Sequence, residues 1–300
     1  MNGTRQFTLG RSMQLAGLLF LSSNLLLSQA ASQMAREERR TDTQRKIKTL
    51  SGRFAEILAP TDRERQLQAD CHLNCAAVAD TATGKTVAQE LDEIANAHNT
   101  ALDRVIAEVE TSLDDYIVKT VRITDPNLAS ASAADDLGLI LQDEAVQPPA
   151  AFILRSPKGN SLLVFYGLNR GMSLTSTSVL RVYAAGANGL RLSDSTSADM
   201  DDYGNLEVRE LHSPKTGEIW LLVSGQMMGA NGPNIRMRVV ACDGKKFRNI
   251  WMPANQWGWF TNRVTQDGFT VDGDYYRSNR HRHEAYFLAP DGLYLKRPGQ

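Results

Sequence analysis

His281 and His283 stand two apart in His281-Arg282-His283-Glu284, a few residues after Asp272 and Asp274. On a strand that spacing puts both imidazoles on one face, because side chains alternate. If the hairpin closes through Arg277-Ser278-Asn279-Arg280, His283 falls opposite Asp274 and His281 opposite Tyr276. His281, His283 and Asp274 then form a donor set for Zn²⁺. The alternative is a solvated polar strand with Arg280 and Arg282 on its other face. A second oxygen-rich group is Asp199, Asp201, Gly204 and Glu207, at positions 1, 3, 6 and 9 of one loop. That spacing suits Ca²⁺, which takes hard oxygen ligands around a glycine-permitted bend. Cys71 and Cys75 are four apart, on one face if helical. They can form a disulfide, face a partner chain, bind a metal with His98, or simply fill an apolar seam. Trp251, Trp257, Trp259 and Phe260 crowd together. Exposed, such rings suit stacking on sugars or anchoring a protein partner; buried, they are packing.

The acidic loop resembles the calcium loops of FG-GAP repeats, the blades of integrin-type propellers, which follow D-x-[DN]-x-D-G-x-x-D. The resemblance implies Ca²⁺ binding in a propeller blade. It departs at Tyr203, where the pattern has an acid, and Trp257 stands at the matching place one unit later. No specific family is matched beyond this short stretch, and no motif calls for another cofactor.

Other chemistry has no motif here. There is no G-x-S-x-G elbow, no H-E-x-x-H and no G-x-G-x-x-G. Ala82-Thr83-Gly84-Lys85-Thr86 lacks the first glycine of a phosphate loop, since Ala79 stands there. A carbohydrate-acting hydrolase would need two converging carboxylates; Asp199, Asp201, Asp272 and Asp274 are the candidates. With a formal net charge of −1 the chain has no basic excess for nucleic acid.

The N-terminus reads as an address. Arg5 and Arg11 precede the apolar run Leu15 to Leu27, and Ser28-Gln29-Ala30 offers small residues for cleavage. This is the pattern of a secretory signal peptide over residues 1–30, with an uncleaved anchor as the alternative. The expectation is an exported protein, periplasmic or extracellular, with no membrane span in the mature chain.

Residues 31–118 follow helical periodicity. Ile47, Leu50, Phe54 and Ile57 form one stripe. Pro60 interrupts it, and Thr61 with Glu64 is spaced as a capping box that restarts a helix. Thr86 with Gln89 starts a third, whose stripe runs Leu91, Ile94, His98, Leu102, Val105, Val109, Leu113 and Tyr116. A helical hairpin or coiled coil able to associate with a second copy is the expectation. Residues 119–149 read as a Pro-, Ala- and Ser-rich linker, with extra strands at Ile117 to Ile123 and Leu137 to Leu141.

From residue 150 the period becomes strand-like. Arg155-Ser-Pro-Lys leads into the apolar run Leu162 to Gly167, and His212-Ser-Pro-Lys leads into Ile219 to Gly225. Read with these copies aligned, three four-stranded units appear: 150–199, 200–254 and 255–300. Asn188-Gly189, Asp243-Gly244 and Asp291-Gly292 fall at the same hairpin in each, as type I′ turns. The expected class is α+β: helices, then an all-β domain of repeated meanders, propeller-like or folded into a β-sandwich. The functional expectation is a non-catalytic binding or scaffolding protein with a protein or carbohydrate ligand. The alternatives are a carbohydrate-acting hydrolase and a Ca²⁺-dependent adhesin.

Overall fold

The computed structural model describes residues 9–74, 85–123, 126–142, 145, 148–155, 159–169, 176–186, 189–197, 204–229, 232–253 and 256–296. Helix α1 (Leu9–Leu58) runs unbroken past Ala30, with no Gly or Pro between Gly17 and Gly52 to interrupt it. Its Ile47, Leu50 and Phe54 are buried. After Pro60, Thr61 opens α2 (Asp62–Asn74), its Oγ1 accepting the Glu64 N–H at 3.1 Å. The Glu64 carboxylate turns to Gln68 instead of back to the cap, so only half of that box forms. Helix α3 (Val87–Thr120) has the complete box: Thr86 Oγ1 accepts the Gln89 N–H at 3.2 Å, and Gln89 Oε1 accepts the Thr86 N–H at 2.9 Å. Its stripe is buried from Leu102 to Ile117, while Leu91, Ile94 and His98 are half-buried.

The segment expected to be a linker with strands is helical. Ile117 to Thr120 complete α3, and α4 (Pro126–Ile140) follows. Proline is harmless in a helix's first turn, where its missing N–H would have no partner. Ala129, Ala133, Leu137 and Ile140 are buried at spacings of four, four and three. Two alanines in that stripe hide its period from a search for large apolar residues. Asp136 ties three helices together: it accepts Arg36 Nε at 2.8 Å and Tyr116 Oη at 2.5 Å, with Arg40 at 3.5 Å.

The β region forms three antiparallel four-stranded sets in chain order. They are β1 (Ala150–Leu154), β2 (Ser161–Asn169), β3 (Ser176–Gly186) and β4 (Gly189–Ser197); β5 (Gly204–Leu211), β6 (Ile219–Gly229), β7 (Gly232–Cys242) and β8 (Phe247–Trp251); and β9 (Gln256–Thr265), β10 (Gly268–Tyr275), β11 (His281–Ala289) and β12 (Gly292–Lys296). Among the described residues the second and third sets are joined edgewise at Asn234↔Trp257 and Ile235↔Gln256. Among the described residues the sets do not close into a barrel or ring.

The sets stack in layers. On β2, Leu162, Val164, Tyr166 and Leu168 pack with α1, α3 and α4, while Leu163 and Phe165 pack against Ile219, Leu221 and Val223 of β6. On β6, Trp220 and Leu222 face the third set, meeting Phe260, Phe269 and Val271. Both copies of the repeated apolar run are therefore strands buried on two faces, which explains their continuous hydrophobicity. Burying each such Leu or Val stabilises by about 1.5–3 kcal/mol. Helix and sheet are also joined by ions. Arg181 of β3, nearly fully buried, pairs with Glu110 at 2.7 Å and with Asp114, which accepts Tyr183 Oη at 2.6 Å. Burial pushes Glu110 above the usual carboxylate range, although Arg181 opposes it.

Strand β6 continues beyond the apolar run that ends at Gly225, pairing with β7 out to Gly229↔Gly232. The expected turn type is corrected. The aspartate-glycine turns are not type I′, which needs positive φ at both central residues; Arg277 is the one non-glycine with positive φ among the described residues. Asp243 Oδ1 instead accepts the N–H groups of Lys245 and Lys246, both at 2.9 Å, in a four-residue connection from Cys242 to Phe247. In the last hairpin Ala289 pairs with Gly292, so Pro290 and Asp291 make the link. Asn188 lies outside the described residues.

Candidate functional site

The third set has one face in the stack and one in solvent. Strand β10 alternates accordingly: Phe269 and Val271 point inward, Asp272 and Asp274 outward. Gly258 and Gly273, at φ +156° and +153°, let β9 and β10 cross closely; a Cβ on Gly273 would lie 2.0 Å from the Trp259 carbonyl oxygen. That crossing holds the end of the sheet carrying Trp259, Asp274 and His281 in one cross-strand row, with Thr261, Asp272 and His283 in the next.

His281 Nδ1 lies 2.8 Å from Asp274 Oδ1 and its Nε2 lies 3.1 Å from Asp272 Oδ1. His283 Nδ1 lies 2.5 Å from Asp272 Oδ2. The Asp274 hydrogen bond raises the His281 pKa above its ordinary value, and the His283 hydrogen bond holds Asp272 below its own. Trp259 is 57% exposed beside them. Farther along the same face Phe287 and Tyr294 stack at 5.4 Å.

The expected register is corrected by two positions. Asp274 faces His281 and Asp272 faces His283, because Tyr275 N–H donates to the Arg280 carbonyl and the loop is Tyr276 to Asn279. Moving a hairpin turn by one residue shifts every cross-strand pair by two, and this register adds Asp272, which contacts both imidazoles, to the expected group of His281, His283 and Asp274. Among the described residues no three His, Cys, Asp or Glu side chains are arranged to hold a metal ion. The group is a hydrogen-bonded ion cluster on the open face of the sheet, offering acceptors and donors beside an aromatic plane.

The other candidates separate. Asp199 and Asp201 lie outside the described residues, and the Glu207 carboxylate is paired with Arg209 at 2.6 Å. Trp251 is a packing residue, its ring 4.9 Å from Tyr286 and 5.7 Å from Phe269. The Trp257 backbone joins β9 to β7, and Phe260 is buried. Arg282 is buried in the stack, bonded to Glu284 and to Tyr286 Oη at 2.9 Å. Burial alone would raise Glu284, yet the Arg282 and Tyr286 hydrogen bonds leave it below the usual range. Cys71 is disulfide-bonded and Cys242 is a buried free thiol, pushed up to about 12 by burial; Cys75 lies outside the described residues.

The fold and this face define an α+β protein in which helices cover one side of a stack of antiparallel sheets. No protein-family model, curated protein or solved structure matches the chain. No helix of the described residues is long and apolar enough to cross a membrane.

Proposed function

We propose that the chain is an exported, non-catalytic binding or scaffolding protein whose three sheets act as propeller-like blades. The outer face of the third blade is its binding surface. The observation carrying this reading is the uncovered row Trp259–Asp274–His281, backed by Asp272 and His283. An exposed indole beside ordered carboxylates and imidazoles suits a carbohydrate: the ring stacks on the sugar's apolar face while charged groups bond its hydroxyls. Export rests on the N-terminal pattern of Arg5, Arg11 and the apolar run to Leu27.

A glycan array followed by calorimetry on the best binder tests the reading. Trp259→Ala is expected to weaken binding at least tenfold, as truncating an aromatic hot spot of about 2 kcal/mol does, with an unchanged melting temperature. Undiminished binding by Trp259→Ala, or no glycan bound by the folded wild type, would remove the carbohydrate assignment.

A further inference from the structure

At the opposite end of the molecule, a cavity of 440 Å³ opens between α1, the end of α3 and the start of α4. Its wall includes Arg36, Arg39, Lys119 and Arg122, with the hydroxyls of Ser32 and Ser132 between them, and none of its described lining residues is acidic. Arg36 is neutralised by Asp136 and Lys119 by Asp115 at 2.9 Å. Arg39 and Arg122 have no carboxylate partner among the described residues. Both are held in place by backbone carbonyls at the end of α3. Arg39 Nη1 donates to the Lys119 carbonyl at 2.9 Å, and Arg122 donates to the carbonyls of Val121, Lys119 and Val118 at 2.9, 3.2 and 3.3 Å. A guanidinium has five N–H donors, so both forks keep donors beyond these bonds. Thr120, also in the wall, has a buried Oγ1 with no hydrogen-bond partner among the described residues.

We infer that this cavity binds a small molecule bearing phosphate or another multivalent oxyanion. Two fixed guanidinium forks without carboxylate partners, together with hydroxyl donors, are the chemistry that recognises oxyanions. The volume falls within the range of small-molecule sites, about 300–1,000 Å³. The helix C-terminus would by itself repel an anion. Its carbonyls are occupied by Arg39 and Arg122, so that repulsion is offset where the ligand would sit.

Calorimetry and thermal melting of the purified protein with inorganic pyrophosphate and inorganic phosphate test the inference, with vesicles of phosphatidylglycerol as a separate arm. The expected result is saturable binding of pyrophosphate, weakened by monovalent salt. Losing one charge-assisted contact in Arg39→Gln should weaken it roughly tenfold. Ser32→Glu, which leaves the α3 carbonyl bonds intact, should do the same by placing a carboxylate in the mouth. Trp259→Ala should leave it unchanged, which separates this site from the sheet face. No saturable binding at millimolar anion, or binding insensitive to both pocket substitutions, would overturn the inference. Vesicle binding without binding of the free anions would overturn the assignment to a small molecule.

Discussion

At the scale of residues, the His–Asp cluster carries a definite pH behaviour. The His281 pKa is raised, so its ion pair is fully present below the ordinary histidine range and fades as pH rises through the raised value. The Asp272 pKa is lowered, so its contribution persists in mild acid and is lost as pH falls through the lowered value. The cluster is therefore intact between those two limits. A proton NMR titration of the imidazoles is expected to show His281 titrating above an unperturbed histidine, and Asp274→Asn should move it down. An Asp274→Asn spectrum with an unshifted His281 midpoint would mean that the pair does not form in solution. Residue types made this group legible in the sequence, since strand alternation alone puts His281 and His283 on one face. Its partners were not legible, because the difference between a loop of Arg277 to Arg280 and one of Tyr276 to Asn279 is a local choice among polar residues. The structure makes it with Arg277 in a positive-φ conformation and Ser278 Oγ accepting the Arg280 N–H at 3.0 Å.

At the scale of elements, α4 separates the two readings of residues 126–140 most sharply. A strand through Leu137 to Leu141 would put Leu137, Leu139 and Leu141 on one face. The helix buries Leu137 completely and leaves Leu139 46% exposed. Leu137→Ala is thus expected to cost about 2–5 kcal/mol and Leu139→Ala less than about 0.5 kcal/mol, measured by urea unfolding. Two equally large costs would support the strand, and two negligible costs an unpacked linker. The capped helices were legible because Thr86 and Gln89 state their geometry in residue type. Helix α4 was hidden because alanine fills half its buried stripe. The strands were legible for a different reason. The second strands of the first two units are continuous apolar runs, as burial on both faces requires. The third, Phe269 to Asp274, alternates, and that alternation already records a face left in water.

At the scale of the whole molecule, the chain is a layered stack with unlike ends: helices over the first sheet, solvent over the third. The repeat in the sequence made the three sheets legible, but it could not say that α1, α3 and α4 share a core with the first. That sharing depends on contacts such as Arg181 with Asp114 and Glu110, which join residues far apart in the chain and leave no local period. Hydroxyl-radical footprinting of the native protein, read by mass spectrometry, tests the stack most directly. The expected result is rapid oxidation of Trp259, Phe287 and Tyr294, with Trp220, Phe165 and Phe260 protected until the protein unfolds. Rapid native oxidation of Trp220, or protection of Trp259 equal to that of Trp220, would contradict a stack that ends in an open third sheet.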